Sequence, residues 1–321
     1  MSHEEALEVL RVSTTEGCTG WKVAGASLAS DLYEVQRSAK KIITFCSDLD
    51  KILGGGVPIG HVTEFCGVPG VGKTQIGMQL AVDVQIPAAF GGVGGAAVYV
   101  DTEGSFVIER VTAIAAAAVQ HIHHIAARPG KQELLAHAQA FTVEHILSNI
   151  LYFRIHDYAE QVALVNMLDQ FLEVHSQVKL IVVDSVAFHF RQDFKDMAHR
   201  TRVLTQMAQD LMRVCEQRQL AVVLMNQVTT RFMEDQTSKL VPALGDSWGH
   251  AATTRVILYW QEAERFAFVF KSPCMPQATA AYRVTQSGVR GMRPADSKRG
   301  PDAAGLQAQH NDASRPRRLD S

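Results

Sequence analysis

The sequence predicts an α/β fold in which a mostly parallel central sheet is flanked by helices and continued by antiparallel strands. Three observations predict this fold. Apolar runs of strand length alternate with segments of helical periodicity. A glycine-rich segment separates one early strand from the helix after it. After Gln227 the pattern changes to short strands without helices between them.

Residues 1–40 are predicted to be a remnant of an N-terminal helical domain and a linker. Glu4–Val12 has a short helical period, and Ser13–Ser30 is rich in Ser, Thr, Gly and Ala, a composition that cannot bury a core by itself. From Ile42 the apolar pattern tightens. The main domain is therefore predicted to cover residues 41–287.

Strands and helices alternate along this domain. The predicted strands are 42–45, 61–66, 96–100, 150–155, 180–184 and 220–225, and the predicted helices are 74–84, 106–127, 131–146, 159–174 and 198–218. Residues 228–250 have little periodicity and are predicted to form a long surface loop. Three antiparallel strands are predicted at 254–260, 265–271 and 280–285. Residues 288–321 are predicted to be a disordered basic tail.

The glycine-rich segment fits the G-x-x-x-x-G-K-[ST] phosphate-binding pattern, and the strand before it and the helix after it are the required context. Its residues are Gly67, Val68, Pro69, Gly70, Val71, Gly72, Lys73 and Thr74. Glycines allow backbone N–H groups to surround phosphate oxygens, and the helix presents its positive end to them. Lys73 is predicted to bind the β- and γ-phosphates and Thr74 to ligate Mg²⁺. The alternative is a turn that contains Lys-Thr by chance.

Three polar side chains follow apolar strands, at positions that surround the ligand crevice of an open α/β sheet. Asp184 is predicted to be a second carboxylate on the Mg²⁺ side, or otherwise to cap the next turn. Glu103 ends the strand predicted to lie beside the phosphate loop, so it is a candidate to deprotonate the attacking water, with a surface carboxylate as the alternative. Gln227 is a candidate γ-phosphate sensor, because an amide at a strand end can change hydrogen-bond partner when that phosphate leaves.

Composition limits the class of protein. The formal net charge is −2, so contacts with nucleic acid must come from local clusters. No apolar run approaches the roughly 20 residues of a membrane-spanning helix, and the N-terminus has no signal-peptide pattern, so we expect no membrane partner. Five scattered cysteines predict reduced thiols in a nuclear or cytosolic setting.

The order and spacing of these motifs resemble the RecA-type recombinase ATPase core from about residue 42 to residue 290. The segments that resemble the eukaryotic strand-exchange recombinases are Leu49–Gly56, Gln75, Asp101–Gly104 and Ser272–Cys274, and those that resemble their C-type paralogue branch are Ile42–Cys46, Val82–Pro87 and Gly245–Ala252. The resemblance implies a DNA-stimulated ATPase that uses ATP and Mg²⁺. It also implies a mediator of homologous recombination in heteromeric paralogue complexes, on single-stranded or branched DNA, in the nucleus and also the cytoplasm.

By the same resemblance, Glu103 matches the catalytic glutamate and Gln227 the sensor glutamine. Arg110 matches the arginine that stacks on adenine, and Gln75 follows the phosphate loop as a nucleotide-binding residue. Lys271 stands where those enzymes carry an aspartate in the cap over a neighbour's ATP. Our hypothesis is that Lys271 places its charge on phosphates bound by an adjacent subunit.

Residues 188–197 and 228–250 match the two DNA-facing loops of that family. Their basic residues are Arg191, Lys195, Arg231 and Lys239. The usual N-terminal helical domain is mostly absent, and Ala26–Ala29 stands in place of a Phe-x-x-Ala docking motif, which argues against self-polymerisation.

Other functions stay open at this point. The first is an ATP-gated scaffold that binds partner paralogues and barely hydrolyses. A ring helicase is disfavoured because no arginine finger is evident. A small-molecule kinase is disfavoured because no arginine-rich lid follows the core.

Overall fold

The computed structural model describes residues 28–191, 194, 196–232 and 238–292, which divide into two units on either side of the Ala39–Lys40 bond. In the first unit the described residues form helix α1, Ala29–Ser38, with an acidic residue in its first turn and a basic one in its last, as the helix dipole favours. Composition did not predict this helix. Glu4–Val12 lies outside the described residues, so the domain remnant stays a prediction.

The second unit is built on a ten-stranded sheet and a separate two-stranded sheet. The strands of its described residues are β1 Lys41–Ile42, β2 Val57–Pro58, β3 Val62–Gly67, β4 Ala96–Asp101, β5 Ile150–Arg154, β6 Val178–Asp184, β7 Ala221–Phe232, β8 Ser238–Pro242, β9 Thr254–Gln261, β10 Glu264–Lys271, β11 Thr279–Thr285 and β12 Gly288–Gly291. The helices are α2 Ser47–Ile52, α3 Lys73–Asp83, α4 Ile108–Ala126, α5 Leu135–Ala140, α6 Val143–Ser148, α7 Tyr158–Val174 and α8 Met197–Arg218.

The strand order of the large sheet is β12-β11-β10-β9-β3-β7-β6-β4-β5, with β8 paired to β7. β3 pairs in parallel with both β7 and β9, and β6 and β4 continue the parallel sheet towards β5. β9 to β12 form an antiparallel extension. The predicted fold class is confirmed. Because β3, β7, β6 and β4 are parallel neighbours, the carboxyl ends of β3, β6 and β4 meet at one edge, where β7 passes beyond the parallel sheet.

Hydrophobic clusters cover both faces of this sheet. Alternate residues of β6 belong to different clusters, with Leu180 and Val182 in one and Ile181 and Val183 in the other. A strand buried on both faces is continuously apolar, which explains the run that predicted β6. None of the helices in the described ranges is long and apolar enough to cross a membrane.

The single helix predicted over 131–146 is wrong. The structure has α5 and α6 there, separated at Thr142. Thr142 is extended, and its hydroxyl accepts a hydrogen bond from the backbone N–H of His145 at 3.1 Å. Such a cap begins a new helix because it satisfies an N–H group that has no partner inside the helix.

The loop predicted over 228–250 is wrong for much of that segment. β7 continues to Phe232 and pairs antiparallel with β8, so that Val228 pairs with Pro242 and Thr230 with Leu240. Asp246–His250 then forms a short 3-10 helix. The β-branched residues that follow Gln227 favour an extended conformation. The glycines later in the segment favour a loop, and they led to the prediction of a loop over the whole segment.

The tail predicted to begin at Gly288 begins with a strand. β12 pairs antiparallel with β11, and Val289 is buried. Gly288 has a φ of +112°, which residues with a Cβ rarely adopt, so glycine permits the turn back to the sheet. The N–H of Val289 donates to Gln79 Oε1 at 3.0 Å. The main domain therefore reaches Gly291, and the tail from Arg293 lies outside the described residues.

Asp83 is a buried carboxylic acid at the end of α3. Its oxygens accept hydrogen bonds from Gln79 Nε2 at 2.8 and 3.0 Å. Burial raises the pKa of Asp83 well above its usual value. In the unfolded chain this carboxyl group loses its proton near pH 4, whereas in the folded chain it keeps the proton to a higher pH. The free energy of unfolding therefore falls as the pH rises from about 4 towards the raised folded pKa.

We expect Asp83→Asn to stabilise the chain at pH 8 by about 1–2 kcal/mol and to give little gain near pH 4. The oxygen of the asparagine amide can still accept a hydrogen bond from Gln79. The amide does not ionise, so the unfolded chain no longer gains stability by losing a proton at this position. Urea unfolding at several pH values measures the effect, with Glu216→Gln as the control, because Glu216 is an exposed acid near the end of α8. Equal pH slopes in Asp83→Asn and the wild type would contradict this account.

Candidate nucleotide-binding site

The strand register brings the predicted site residues to one edge of the sheet. Gly67 at the end of β3 is paired with Gln227 of β7. Asp184 at the end of β6 is paired with Met225 of β7 on one side and with Asp101 of β4 on the other. The strands β3, β6 and β4 thus end around a common crevice, at the level where β7 leaves the parallel sheet, which is the position at which open α/β sheets bind ligands.

The phosphate loop has the backbone that its glycines predict. Gly72, at the start of α3, has a φ of +112°, and Gly70 has a φ of +78°. A Cβ on Gly67 would lie 2.7 Å from the Leu258 carbonyl oxygen, whereas nothing lies within 4 Å of a Cβ on Gly70. Glycine is therefore required at Gly67 by close packing and at Gly70 and Gly72 by backbone conformation.

Lys73 begins α3 and turns its side chain back over the loop. Its Nζ donates to the carbonyl oxygens of Gly67 at 2.8 Å and Val68 at 3.0 Å. Burial lowers the pKa of Lys73, and the carboxylates of Asp184 and Glu103 act in the opposite direction. The ammonium group is therefore held over the loop by two backbone carbonyls, and phosphate binding by Lys73 stays a prediction.

Asp184 is buried beside Thr74. The hydroxyl of Tyr99 donates to Asp184 Oδ2 at 2.8 Å, and the Thr74 side chain also hydrogen-bonds this carboxyl group. Burial raises the pKa of Asp184 to about 6, against the effect of these two hydrogen bonds. A hydroxyl and a carboxylate in contact are oxygen donors of the kind that Mg²⁺ prefers, so the residues present fit this ion. The roles of Thr74 and Asp184 as metal ligands stay a prediction.

Tyr99 was not predicted. It is fully buried on β4, and the signal for it in the sequence is a lone hydroxyl-bearing residue in the aliphatic run AAVYV. A buried phenol needs a hydrogen-bond partner, and Asp184 supplies one.

Glu103 reaches the crevice by a different route from the one predicted. β4 does not lie beside β3, because β7 and β6 are inserted between them, so the prediction that Glu103 adjoins the phosphate-loop strand is wrong. Its side chain instead crosses the edge of the sheet. Oε1 accepts hydrogen bonds from Ser185 Oγ at 2.6 Å and from Gln227 Nε2 at 3.0 Å.

Asp101 shapes the turn that carries Glu103. The sequence analysis predicts no role for Asp101. Its buried carboxylate accepts backbone N–H groups at distances between 2.7 and 3.2 Å. The donors are Glu103, Gly104, Ser105 and Phe106. An aspartate at a strand end with glycine and serine three and four residues later is the sequence signal for such a turn.

Gln227 is placed by its own backbone and by its neighbour Asn226. Its carbonyl oxygen accepts from the N–H of Ala243 at 2.8 Å. Asn226 Nδ2 donates to Ala243 O at 3.1 Å and to Glu64 Oε1 at 2.7 Å. The part of β7 that carries Gln227 is therefore tied to Ala243, in the segment that follows the β7–β8 hairpin.

Glu64 is a third residue, after Tyr99 and Asp101, whose role is not predicted from the sequence. Its carboxylate is fully buried on β3 and forms an ion pair with Arg255 of β9, and Trp248 Nε1 donates to Oε1 at 2.8 Å. A lone glutamate in an apolar strand is the signal, because a buried charge must be paired. Lys271 lies near this cluster, and its Nζ donates to the carbonyl oxygens of Gly249 and Ala252 at 3.2 and 2.8 Å.

Gln75 and Arg110 lie together beside the phosphate loop. Arg110 Nε donates to Gln75 Oε1 at 2.6 Å, and Nη2 donates to the carbonyl oxygen of Thr285 at 2.6 Å. The contact between two predicted nucleotide-binding residues agrees with a shared site, while adenine stacking by Arg110 stays a prediction.

The residues of the predicted DNA-facing loops are only partly described. Arg191 is exposed, and its Nη1 donates to Gln227 Oε1. Phe190 is buried and stacks on Phe194 with ring centroids 5.6 Å apart, so it belongs to the core. Arg231 and Lys239 are register partners in the hairpin, and Lys195 lies outside the described residues.

Comparisons with known proteins give a consistent result. The chain matches the Rad51 family model over residues 36–126 and 118–292. It is 49% identical over 297 residues to DNA repair protein RAD51 homolog 3 of Cricetulus griseus, covering 90% of this chain and 81% of that protein. It is 43% identical to the protein of the same name from Dictyostelium discoideum, over 83% of this chain and 69% of that protein. It is 35% identical to DNA repair and recombination protein RadA of Aeropyrum pernix, over 82% of this chain and 76% of that protein.

Proposed function

Because the chain belongs to the Rad51 family, we propose that it is a DNA-stimulated ATPase that acts as a mediator of homologous recombination in double-strand break repair. It would act in the nucleus, within heteromeric complexes of recombinase paralogues on single-stranded or branched DNA. One observation carries the proposal. Lys73, Thr74, Glu103, Asp184 and Gln227 come from four separate segments and converge at one edge of the sheet.

The phosphate loop and its neighbours would bind Mg-ATP. Loop N–H groups and the Lys73 ammonium would bind the phosphates, and the oxygens of Thr74 and Asp184 would hold Mg²⁺. When bound, Mg²⁺ would neutralise charge that develops on the phosphate oxygens. Gln75 and Arg110 are proposed to complete the nucleotide site, and the hydrogen bond between their side chains supports this.

Hydrolysis would depend on Glu103 and Gln227. Glu103 is proposed to accept a proton from the attacking water, and Gln227 to bind the γ-phosphate through its amide. In the structure the Gln227 amide donates a hydrogen bond to Glu103, so it must give up this partner before it can donate to a phosphate. Slow turnover is therefore expected.

DNA binding by one subunit is expected to be weak. The two loops supply four basic residues, Arg191, Lys195, Arg231 and Lys239, while the chain as a whole has a net charge of −2. If each residue contacts one phosphate of single-stranded DNA, log affinity falls with log salt at a slope of about −3. Adjacent subunits would be needed for tight binding, which fits a role in complexes.

We expect the purified chain, alone or with co-purifying paralogues, to hydrolyse ATP faster when single-stranded DNA is added. Phosphate release measures the rate, and titration of labelled DNA at several salt concentrations measures the slope per subunit. Duplex DNA without ends or branches is the control. A rate that DNA does not change would contradict the proposed activity.

A second function is favoured by one specific observation. Two donors bind Oε1 of Glu103 and fix the orientation of its carboxylate, which would hinder its turning towards an attacking water. An ATP-gated scaffold would use this restrained site to bind partner paralogues without turnover. Partner paralogues that co-purify with the chain only when ATP is present would support the scaffold function, provided that ATP hydrolysis does not exceed the background measured with Glu103→Gln.

A further inference from the structure

The amide of Gln227 is held at both of its polar groups. Nε2 donates to Glu103 Oε1 at 3.0 Å, and Oε1 accepts from Arg191 Nη1. A glutamine side chain has only one oxygen acceptor and one NH₂ group. The side chain that is proposed to sense the γ-phosphate is therefore engaged on one side by the proposed base and on the other by an exposed arginine.

The backbone at Gln227 is fixed, so the response has to come from its side chain. Gln227 O is bonded to the N–H of Ala243, and the preceding Asn226 is bonded to Ala243 O and to the buried Glu64. Breaking these contacts would leave buried polar groups without partners, which is costly. Rotation of the amide needs only the exchange of its bonds to Arg191 and Glu103.

The contact with Gln227 also limits what Glu103 can do. Ser185 Oγ and Gln227 Nε2 donate to the same oxygen, Oε1. A general base must accept the proton of a water molecule on an oxygen lone pair. Because the other carboxylate oxygen can still accept a proton, these two bonds act on Glu103 by fixing the orientation of its carboxylate, and release of Gln227 would allow the carboxylate to turn towards a water molecule.

Arg191 is placed where DNA can compete for it. It ends a 3-10 turn, His189–Arg191, in the first predicted DNA-facing loop, and its side chain is exposed. A guanidinium group binds a phosphate with two parallel hydrogen bonds between opposite charges, whereas it donates one hydrogen bond to the uncharged amide of Gln227. A DNA phosphate is therefore a better partner for Arg191 than Gln227 Oε1.

We propose that Arg191 is a positioning residue that restrains the ATP site. In the absence of DNA, Arg191 holds Gln227, and Gln227 in turn occupies Glu103. Binding of a DNA phosphate to Arg191 releases the amide, which can then bind the γ-phosphate, and Glu103 loses one of its two hydrogen-bond donors. This inference rests on the proposed function, because it requires both DNA binding and a nucleotide site.

Hydrolysis without DNA is the most direct test. Arg191→Ala is expected to raise the DNA-free rate about three- to tenfold, because a restraining hydrogen bond is lost, and to reduce the further stimulation by DNA. The control is Arg202→Ala, which removes an exposed positive charge near the start of α8. It is expected to leave the DNA-free rate unchanged. An Arg191→Ala protein that binds DNA more weakly but has the wild-type DNA-free rate would show that Arg191 is only a DNA contact.

A second measurement does not require turnover. Because coupling between two ligands is reciprocal, the wild type should bind single-stranded DNA more tightly with a non-hydrolysable ATP analogue than with ADP. Arg191→Ala should bring the ratio of these affinities close to one, and Arg202→Ala should leave it unchanged. If the ratio of the two DNA affinities is the same in all three proteins, the proposed restraint by Arg191 is wrong, while the proposed function is not contradicted. A wild-type protein that neither hydrolyses ATP nor binds DNA would contradict the proposed function, and the restraint with it.

Discussion

Lys73→Ala is expected to abolish nucleotide binding. The ammonium of Lys73 donates to the loop carbonyls of Gly67 and Val68, and the carboxylates of Asp184 and Glu103 act on it electrostatically. Charge-assisted hydrogen bonds contribute about 1.5–3 kcal/mol each. Loss of two such bonds to phosphate would weaken ATP binding by about 100-fold or more.

The change should leave the fold intact. Lys73 is the first residue of α3, and alanine is a good helix former. The turn before it is set by the backbone of Gly72, which the substitution does not alter. Titration with a fluorescent ATP analogue and Mg²⁺ measures binding, and circular dichroism checks the fold. Lys51→Ala, at an exposed position of α2, is the matched control. Full binding by Lys73→Ala would refute the assignment of the site.

Local patterns predicted the parts of the site that are continuous in sequence. The glycines before Lys73 are required by the conformation of a single loop, so the motif and its flanking strand and helix could be recognised together. Asp184 and Gln227 could be proposed because each follows an apolar strand. Parallel strands end at one edge of a sheet, whatever their order.

Strand order and burial partners could not be predicted in this way. Glu103 was expected beside the phosphate loop, but β6 and β7 come later in the chain and insert between β3 and β4. Glu64 is 162 residues from Asn226 and 191 from Arg255 in sequence. A lone buried acid indicates that a partner exists, but no local pattern indicates which distant residue it is. Such pairs are decided by tertiary packing.

Substituting the proposed base should separate hydrolysis from binding. Glu103→Gln keeps an oxygen that can accept from Ser185 and Gln227, so the geometry of the crevice should be retained. An amide cannot take the proton of the attacking water. We therefore expect DNA-stimulated hydrolysis to fall by about 100- to 10,000-fold, while affinity for ATP changes little.

The comparison of binding and turnover also decides between the two proposed functions. Phosphate release with saturating DNA and titration of nucleotide would be measured on the same preparations, with Glu109→Gln as the control, since Glu109 is an exposed acid in the first turn of α4. If the wild type hydrolyses ATP and Glu103→Gln does not, the chain uses turnover. If both proteins bind ATP equally, release phosphate only at background and capture partner paralogues to the same extent, the bound nucleotide alone is sufficient, and the site acts as a scaffold switch. If Glu103→Gln hydrolyses ATP at the wild-type rate, Glu103 is not the base, because the amide that replaces its carboxylate cannot accept the proton of the attacking water.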